Sequence, residues 1–164
     1  MGWTFANQSK ASLVRELSNP NRFDNWKIIK STVIGNRHWF LSRHFENGEY
    51  LIGLDLLSKH GREYGYKTID ETMGPYYYDC PAGYLDYPTH DAKALEWRVT
   101  CKTVQADKKK KKKAFKPGLQ LTLNTGWVYT LICPAGTRKG WIVDRSDNTR
   151  WRMPFARLNR AVIL

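Results

Sequence analysis

Two short turns built of glycine and asparagine limit the fold of this chain more than any other feature. Gly35-Asn36 and Asn47-Gly48 separate three runs rich in strand-forming residues, Trp26 to Ile34, Trp39 to Phe45 and Tyr50 to Leu57. Glycine and asparagine enter the positive-φ region that tight hairpin turns require, and the runs they separate are rich in β-branched, aromatic and aliphatic residues. Two hairpins in succession predict an antiparallel meander of three strands. Ahead of it, Ser9 to Leu17 reads as a short helix: Ser9 is the N-cap, Leu13, Val14 and Leu17 share a face, and Asn19-Pro20-Asn21 ends it.

The segment from Lys59 to Pro88 shows no clear period and reads as a long connection dense in tyrosine. Loops of that length inside a compact domain usually form a working surface. Tyr64, Tyr66, Tyr76, Tyr77 and Tyr78, with Asp70 and Glu71, are therefore candidates for a protein interface, because tyrosine is favoured at binding hot spots. The alternative is that the tyrosines pad the open face of the sheet. Asp70-Glu71-Thr72 before Met73-Gly74-Pro75 also fits a single capped helical turn, and adjacent carboxylates diverge too far to serve as an acid and base pair.

After Asp91, a candidate N-cap, residues 92 to 113 read as a helix with Ala94, Trp97, Cys101 and Val104 along one stripe. Its end, Lys108, Lys109, Lys110, Lys111, Lys112 and Lys113, points charge in every direction, so a frayed, flexible tether is expected there. Beyond Lys116-Pro117-Gly118 come five short strand-like runs, Leu119 to Leu123, Trp127 to Cys133, Gly140 to Val143, Arg150 to Arg152 and Ala161 to Leu164. With Pro154 to Leu158 placed as a single 3₁₀ turn before the last run, this order resembles a small SH3-like barrel. The expected fold class is α+β: an antiparallel sheet with helices over residues 1–91, a basic linker helix over 92–115, and the barrel over 116–164.

Charge divides the chain as sharply as structure does. Residues 1–91 carry ten Lys and Arg against eleven Asp and Glu, a net −1; residues 92–164 carry seventeen against four, a net +13, which together make the total of +12. Such a surplus exceeds what solubility needs and points to a polyanion. Lys108 to Lys113, Lys116, Arg138, Lys139, Arg145, Arg150 and Arg152 are the candidate nucleic-acid contacts. They, Arg157 and Arg160 are interleaved with Trp127, Trp141 and Trp151, and Trp151 is the candidate stacking residue, since cations track phosphates while exposed aromatics stack on bases. The alternative keeps the tryptophans in the barrel core.

Other chemistries find little support. Cys80, Cys101 and Cys133 are odd in number and form no C-x-x-C pair, and His38, His44, His60 and His90 lack ligand spacing, so neither a disulfide framework nor a metal site is expected. No P-loop, G-x-G-x-x-G, H-E-x-x-H or G-x-S-x-G is present, so no cofactor and no common hydrolase chemistry is expected. An enzyme reading would have to use Asp70, Glu71, Tyr66 or Cys80. The first residues lack a signal peptide and no apolar run spans a bilayer, so a reduced cytoplasmic setting without membrane contact is expected.

The start Met1-Gly2-Trp3-Thr4-Phe5, the block Gly65-Tyr66-Lys67-Thr68-Ile69-Asp70-Glu71-Thr72-Met73-Gly74-Pro75 and the pair Cys80-Pro81 resemble a family of uncharacterised proteins of bacterial phages, plasmids and other mobile elements. The resemblance implies a bacterial host cell and a role in maintaining the element or defeating host defences. Two functions are expected on these grounds. One is a non-enzymatic accessory protein that binds DNA or RNA. The other is an inhibitor of a nucleoprotein defence complex, an anti-CRISPR or antirestriction factor, acting by protein contact.

Overall fold

The computed structural model describes residues 2–74 and 77–164. Contacts divide the chain into two compact units, Met1–Gln105 and Ala106–Leu164, each built on a five-stranded antiparallel sheet, and the fold is α+β. In the first unit the elements are β1 (Thr4–Ala6), α1 (Lys10–Leu17), β2 (Trp26–Ile34), β3 (Arg37–His44), β4 (Tyr50–His60) and β5 (Glu63–Asp70), and the strand order is β1-β5-β4-β3-β2. The meander β2-β3-β4 is the one the turn residues predict, with Gly35 and Gly48 at φ of 61° and 67°. Ser9 caps α1 by accepting from the Ser12 amide at 3.2 Å.

The long tyrosine-rich connection expected from Lys59 to Pro88 is a hairpin in its first part, as far as Asp70, and beyond that, among the described residues, a connection with two 3₁₀ turns, Glu71–Met73 and Ala82–Tyr84. β4 continues to His60, turns at Gly61, and β5 returns along it, pairing Leu57 with Tyr66 and Asp55 with Thr68. Strand residues alternate between faces, and this sheet is packed on both. On one side Leu57, Tyr64 and Tyr66 meet Leu13, Val14 and Leu17 of α1. On the other, Trp39, Leu41, Ile52 and Leu54 meet Trp97 and Cys101, together with Cys80, Tyr84 and Leu85 from the segment after β5. With both faces covered, polarity does not alternate along β5, and its sequence hides its period.

Helix α2 (Ala92–Ala114) starts at Asp91, whose Oδ1 accepts from the Ala94 amide at 2.9 Å, and it buries Ala94, Trp97, Arg98 and Cys101. The frayed end expected of the lysine run is not found: the helix continues through all six lysines to Ala114. Lysine is a good helix former, and cations suit the negative end of a helix. Two of the six are also anchored. Lys111 Nζ donates to the Asn159 carbonyl at 2.9 Å, and Lys112 Nζ lies 4.4 Å from the centre of the Phe155 ring.

The second unit contains β6 (Gln120–Thr122), β7 (Val128–Pro134), β8 (Trp141–Arg145), β9 (Arg150–Met153), α3 (Phe155–Leu158) and β10 (Val162–Ile163). Its order, β10-β6-β7-β8-β9, returns the last strand to the side of the first, with a helical turn just before that return. Phe115, Leu121, Leu131, Trp141, Val143, Met153 and Leu158 fill its core.

A carboxylate ties the β3–β4 turn to the approach to α2. Glu49 accepts from the Thr89 hydroxyl at 2.6 Å, from His90 Nδ1 at 2.8 Å and from the His90 amide. The bonds from Thr89 and His90 pull its pKa down to about 2. A carboxylate depressed in the folded state contributes stability that is complete above its unfolded pKa and is lost as pH falls through the folded value. Glu49→Gln is therefore expected to lose less stability than the wild type between about pH 4.5 and 2, read as unfolding midpoints across that window. Parallel acid limbs would show that this tie adds nothing.

Candidate nucleic-acid interface

The register of the second sheet brings Arg145 and Trp151 onto one face, and Arg150 and Arg152, which flank Trp151 on β9, onto the other. Tyr129 pairs with Arg145, and Val143 with Trp151, so all four side chains point the same way. Towards the middle of the sheet that face is core. At its open end it forms a cavity of about 180 Å³ lined by Thr125, Trp127, Tyr129, Arg145, Trp151, Arg152, Met153 and Arg157. Trp127 and Trp151 remain 40% and 46% exposed, whereas Trp141 is buried at 8%. The tryptophans thus divide: one sits in the core, and two lie at the surface beside arginines.

The Arg145 guanidinium lies 4.4 Å from the centre of the Trp127 ring and 5.3 Å from that of Trp151. Asp147 holds it from the other end through a two-pronged pair, and the Arg145 hydrogen bond keeps the Asp147 carboxyl well below the usual carboxylate range. Arg150 is paired in the same manner with Asp144, at 2.7 and 3.0 Å, which lowers that carboxyl too. Arg145 and Arg150 are therefore partly neutralised. Arg152 donates to the Arg138 carbonyl at 2.9 Å, which braces the turn carrying Arg138 and Lys139, both exposed. Among the lysines, Lys108, Lys109, Lys110, Lys112, Lys113 and Lys116 are exposed and Lys111 is half-buried. Tyr129 and Met153 join the site only through strand register, which no local pattern reveals, and Thr125 joins it from the turn before β7.

The residues expected to form a protein interface are differently placed. Glu71 is 1% exposed: Arg98 grips it with Nε and Nη2 at 2.6 Å each, and the Ile52 amide donates to it at 2.9 Å. Arg98 also donates to the carbonyls of Tyr50, at 3.2 Å, and Tyr87. Glu71 belongs to the core, not to a surface. Asp70 caps the 3₁₀ turn Glu71–Met73, accepting from the Thr72 amide at 2.9 Å, and Gly74 ends that turn in the left-handed region, as the capped-turn reading expects. Tyr64 and Tyr66 are half-buried against α1, and Tyr77 and Tyr78 against the opposite core, so these four pad the sheet. Tyr76 lies outside the described residues.

Two further constellations occupy the first unit. Ser18 Oγ is 3.0 Å from His38 Nε2, and His38 Nδ1 is 2.8 Å from Asp55 Oδ2, the order of a nucleophile, base and orienting acid. The Ser18 hydroxyl, however, donates to the Val14 carbonyl at 2.7 Å, and Asp55 also accepts from both Arg22 Nη atoms, at 2.7 and 2.9 Å, and from Thr68 at 2.6 Å. Burial alone would raise the Asp55 pKa; the bonds from His38, Arg22 and Thr68 outweigh it and hold the carboxyl below the usual range. The Ser18–His38 contact and the Arg22–Asp55 pair tie the end of α1 and the residues after it to the sheet, and the bonds of His38 and Thr68 to Asp55 join neighbouring strands. Burial, in turn, pushes the Cys80 thiol far above its ordinary value, away from the thiolate a nucleophile needs.

Among the described residues no helix is long and apolar enough to cross a membrane. No protein-family model, curated protein or solved structure matches the chain.

Proposed function

We propose that the chain is a non-enzymatic accessory protein of a mobile element that binds single-stranded nucleic acid through its second unit. The observation that carries this reading is the open end of the second sheet, where two half-exposed tryptophans share a cavity with Arg145, Arg152 and Arg157. Flat rings offer stacking surfaces to unpaired bases of any sequence, and arginines beside them offer donors to the phosphates between those bases. A base inside a duplex presents no free face, so single strands are the better fit. The other four lysines of the run in α2, Lys108, Lys109, Lys110 and Lys113, add charge that carries no sequence information.

Changing those four lysines to glutamine is expected to weaken binding by the same factor for every sequence. It should flatten the plot of log affinity against log salt by up to about 3, that is, about 0.7 for each phosphate of a single strand that is no longer neutralised. Fluorescence anisotropy with labelled DNA and RNA strands across a salt series reads both effects. An unchanged slope, or no binding by the wild type at low salt, sinks the reading.

One observation favours the second reading, an inhibitor of a host defence complex acting by protein contact. Trp3 and Phe5 stack with ring centres 6.4 Å apart at the β1 edge and stay nearly half exposed. Treating the purified complex with nuclease separates the readings: a stoichiometric protein partner that survives, and is absent with Trp3→Ala, favours the inhibitor.

A further inference from the structure

We infer that the first unit carries an anion site of its own, where Lys27 and Arg43 meet at the end of the sheet, and that it takes a nucleotide phosphate with the base against Phe45. This goes beyond the reading above, which confines nucleic acid to the second unit, and rests on that reading only for the kind of phosphate. The net charge of the first half conceals the site.

The register sets Lys27 directly opposite Arg43 on neighbouring strands. Like charges in that relation repel and cost stability unless something of opposite sign lies between them. The other arginines of this unit that touch the sheet are matched: Arg22 with Asp55, Arg37 with Asp79 and Arg98 with Glu71. Among the described residues neither Lys27 nor Arg43 has a carboxylate partner. Glu49, close by in the turn, is committed to Thr89 and His90. A cavity of about 240 Å³ opens at the pair, lined by Lys27, Ile29, Arg43, His44 and Phe45, with no acid in its wall.

The groups around this cavity are held in place. Gly48, at φ of 67°, lets the Arg43 guanidinium lie along the turn: a Cβ there would meet Arg43 Nη2 at 3.3 Å. His44 Nδ1 accepts from the amides of Glu46 and Asn47, at 3.3 and 3.4 Å, which braces the turn that carries Phe45. Trp26 packs edge-on against the His44 ring with centres 4.9 Å apart. On the facing strand a bulge between Ile28 and Lys30 leaves Ile29 unpaired, the kind of irregularity that re-aims side chains at working sites. Phe45, 60% exposed, supplies the flat apolar surface.

An arginine fork and an ammonium are two differently shaped donors on one anion. A phosphate, with several acceptor oxygens, satisfies them, and a ring beside it suits the base the phosphate bears. Two such sites on one chain would hold a strand that reaches both more tightly than either alone, through effective concentration rather than new contacts.

The test is an NMR titration of the full chain with uridine 5′-monophosphate, with uridine and inorganic phosphate as comparison probes. The nucleotide is expected to shift the Arg43 side-chain N–H and the amides of Phe45 and Glu46, saturably; phosphate should move the same signals less, and uridine should leave them unmoved. Lys27→Gln/Arg43→Gln should abolish the shifts with the rest of the spectrum intact, because both side chains are exposed. The shifts should persist in Trp127→Ala/Trp151→Ala. Loss of oligonucleotide binding at the second unit with these shifts retained would remove the proposed single-strand function and leave this inference standing. The inference is overturned if the nucleotide leaves residues 43–46 unmoved, if uridine acts as well as the nucleotide, or if the double glutamine variant responds like the wild type.

Discussion

Glu71→Ala is expected to cost the first unit about 3–5 kcal/mol, the usual penalty for removing one partner of a buried ion pair. The loss comes mainly from what is left behind. Arg98 is 4% exposed, and its charge would remain in the core with only the carbonyls of Tyr50 and Tyr87 to receive it. The Ile52 amide would be without its acceptor as well. Whole domains are stable by about 5–15 kcal/mol, so a change of this size leaves little margin. Denaturant unfolding with a probe in the first unit reads it. Glu71→Met/Arg98→Leu is expected to be more stable than either single change, because no unpaired charge remains. A Glu71→Ala protein within about 1 kcal/mol of the wild type would show that water reaches Arg98 and that the pair is not a closed one.

That pair also shows how much of the fold is legible in the sequence. The capped turn at Asp70 is written in local spacing, as are the two hairpin turns and the apolar stripe of α2. The fate of Glu71 is not, because the cation that claims it arrives 27 residues later from another element. β5 escapes for a related reason. Tyr64, Tyr66 and Thr68 face α1 while Gly65, Lys67 and Ile69 face the other way, and with both sides packed no polar-apolar alternation appears. β1, three residues long, exists because β5 offers it an edge, and Phe5 lies over Gly65, where a Cβ would stand 2.5 Å from the ring.

The lysine run is the most visible feature of the sequence, yet its form does not follow from charge alone. Charge repulsion along a helix argues for fraying; the Lys111 bond to Asn159 and the Lys112 interaction with Phe155 argue against it, and both need the folded second unit. The arginine-tryptophan interleaving is readable as composition. Its division into a core Trp141 and a surface pair, Trp127 and Trp151, requires the register of β7, β8 and β9. Lys27 and Arg43 lie sixteen positions apart in a stretch of ordinary charge, so only the hairpin that opposes them makes a site visible.

The Trp127→Ala/Trp151→Ala variant is expected to bind single strands far more weakly while keeping the wild-type salt slope. A stacked base is worth about 1–3 kcal/mol, so each ring removed should cost about five- to 150-fold in Kd. The slope counts neutralised phosphates, and neither change removes a charge. The lysine variant makes the opposite prediction: a flatter slope, with discrimination between single strand and duplex intact. Measuring both variants on the same strands separates stacking from charge. Arg145 gives the tryptophans a reason to be ordered before a base arrives, since Asp147 anchors its guanidinium through Nε and Nη2 while both rings lie near the same group. A cation over an exposed ring is worth about 0.5–1 kcal/mol, less than a stacked base, so a base can displace Arg145 or share the ring with it at net gain. Folding should survive the double change, because the core of this unit is built on Trp141, Leu131 and Val143 rather than on the two exposed rings. Equal affinity in the variant and the wild type, with both folded, would mean that the tryptophans hold Arg145 and nothing else, and that the second unit reads charge alone.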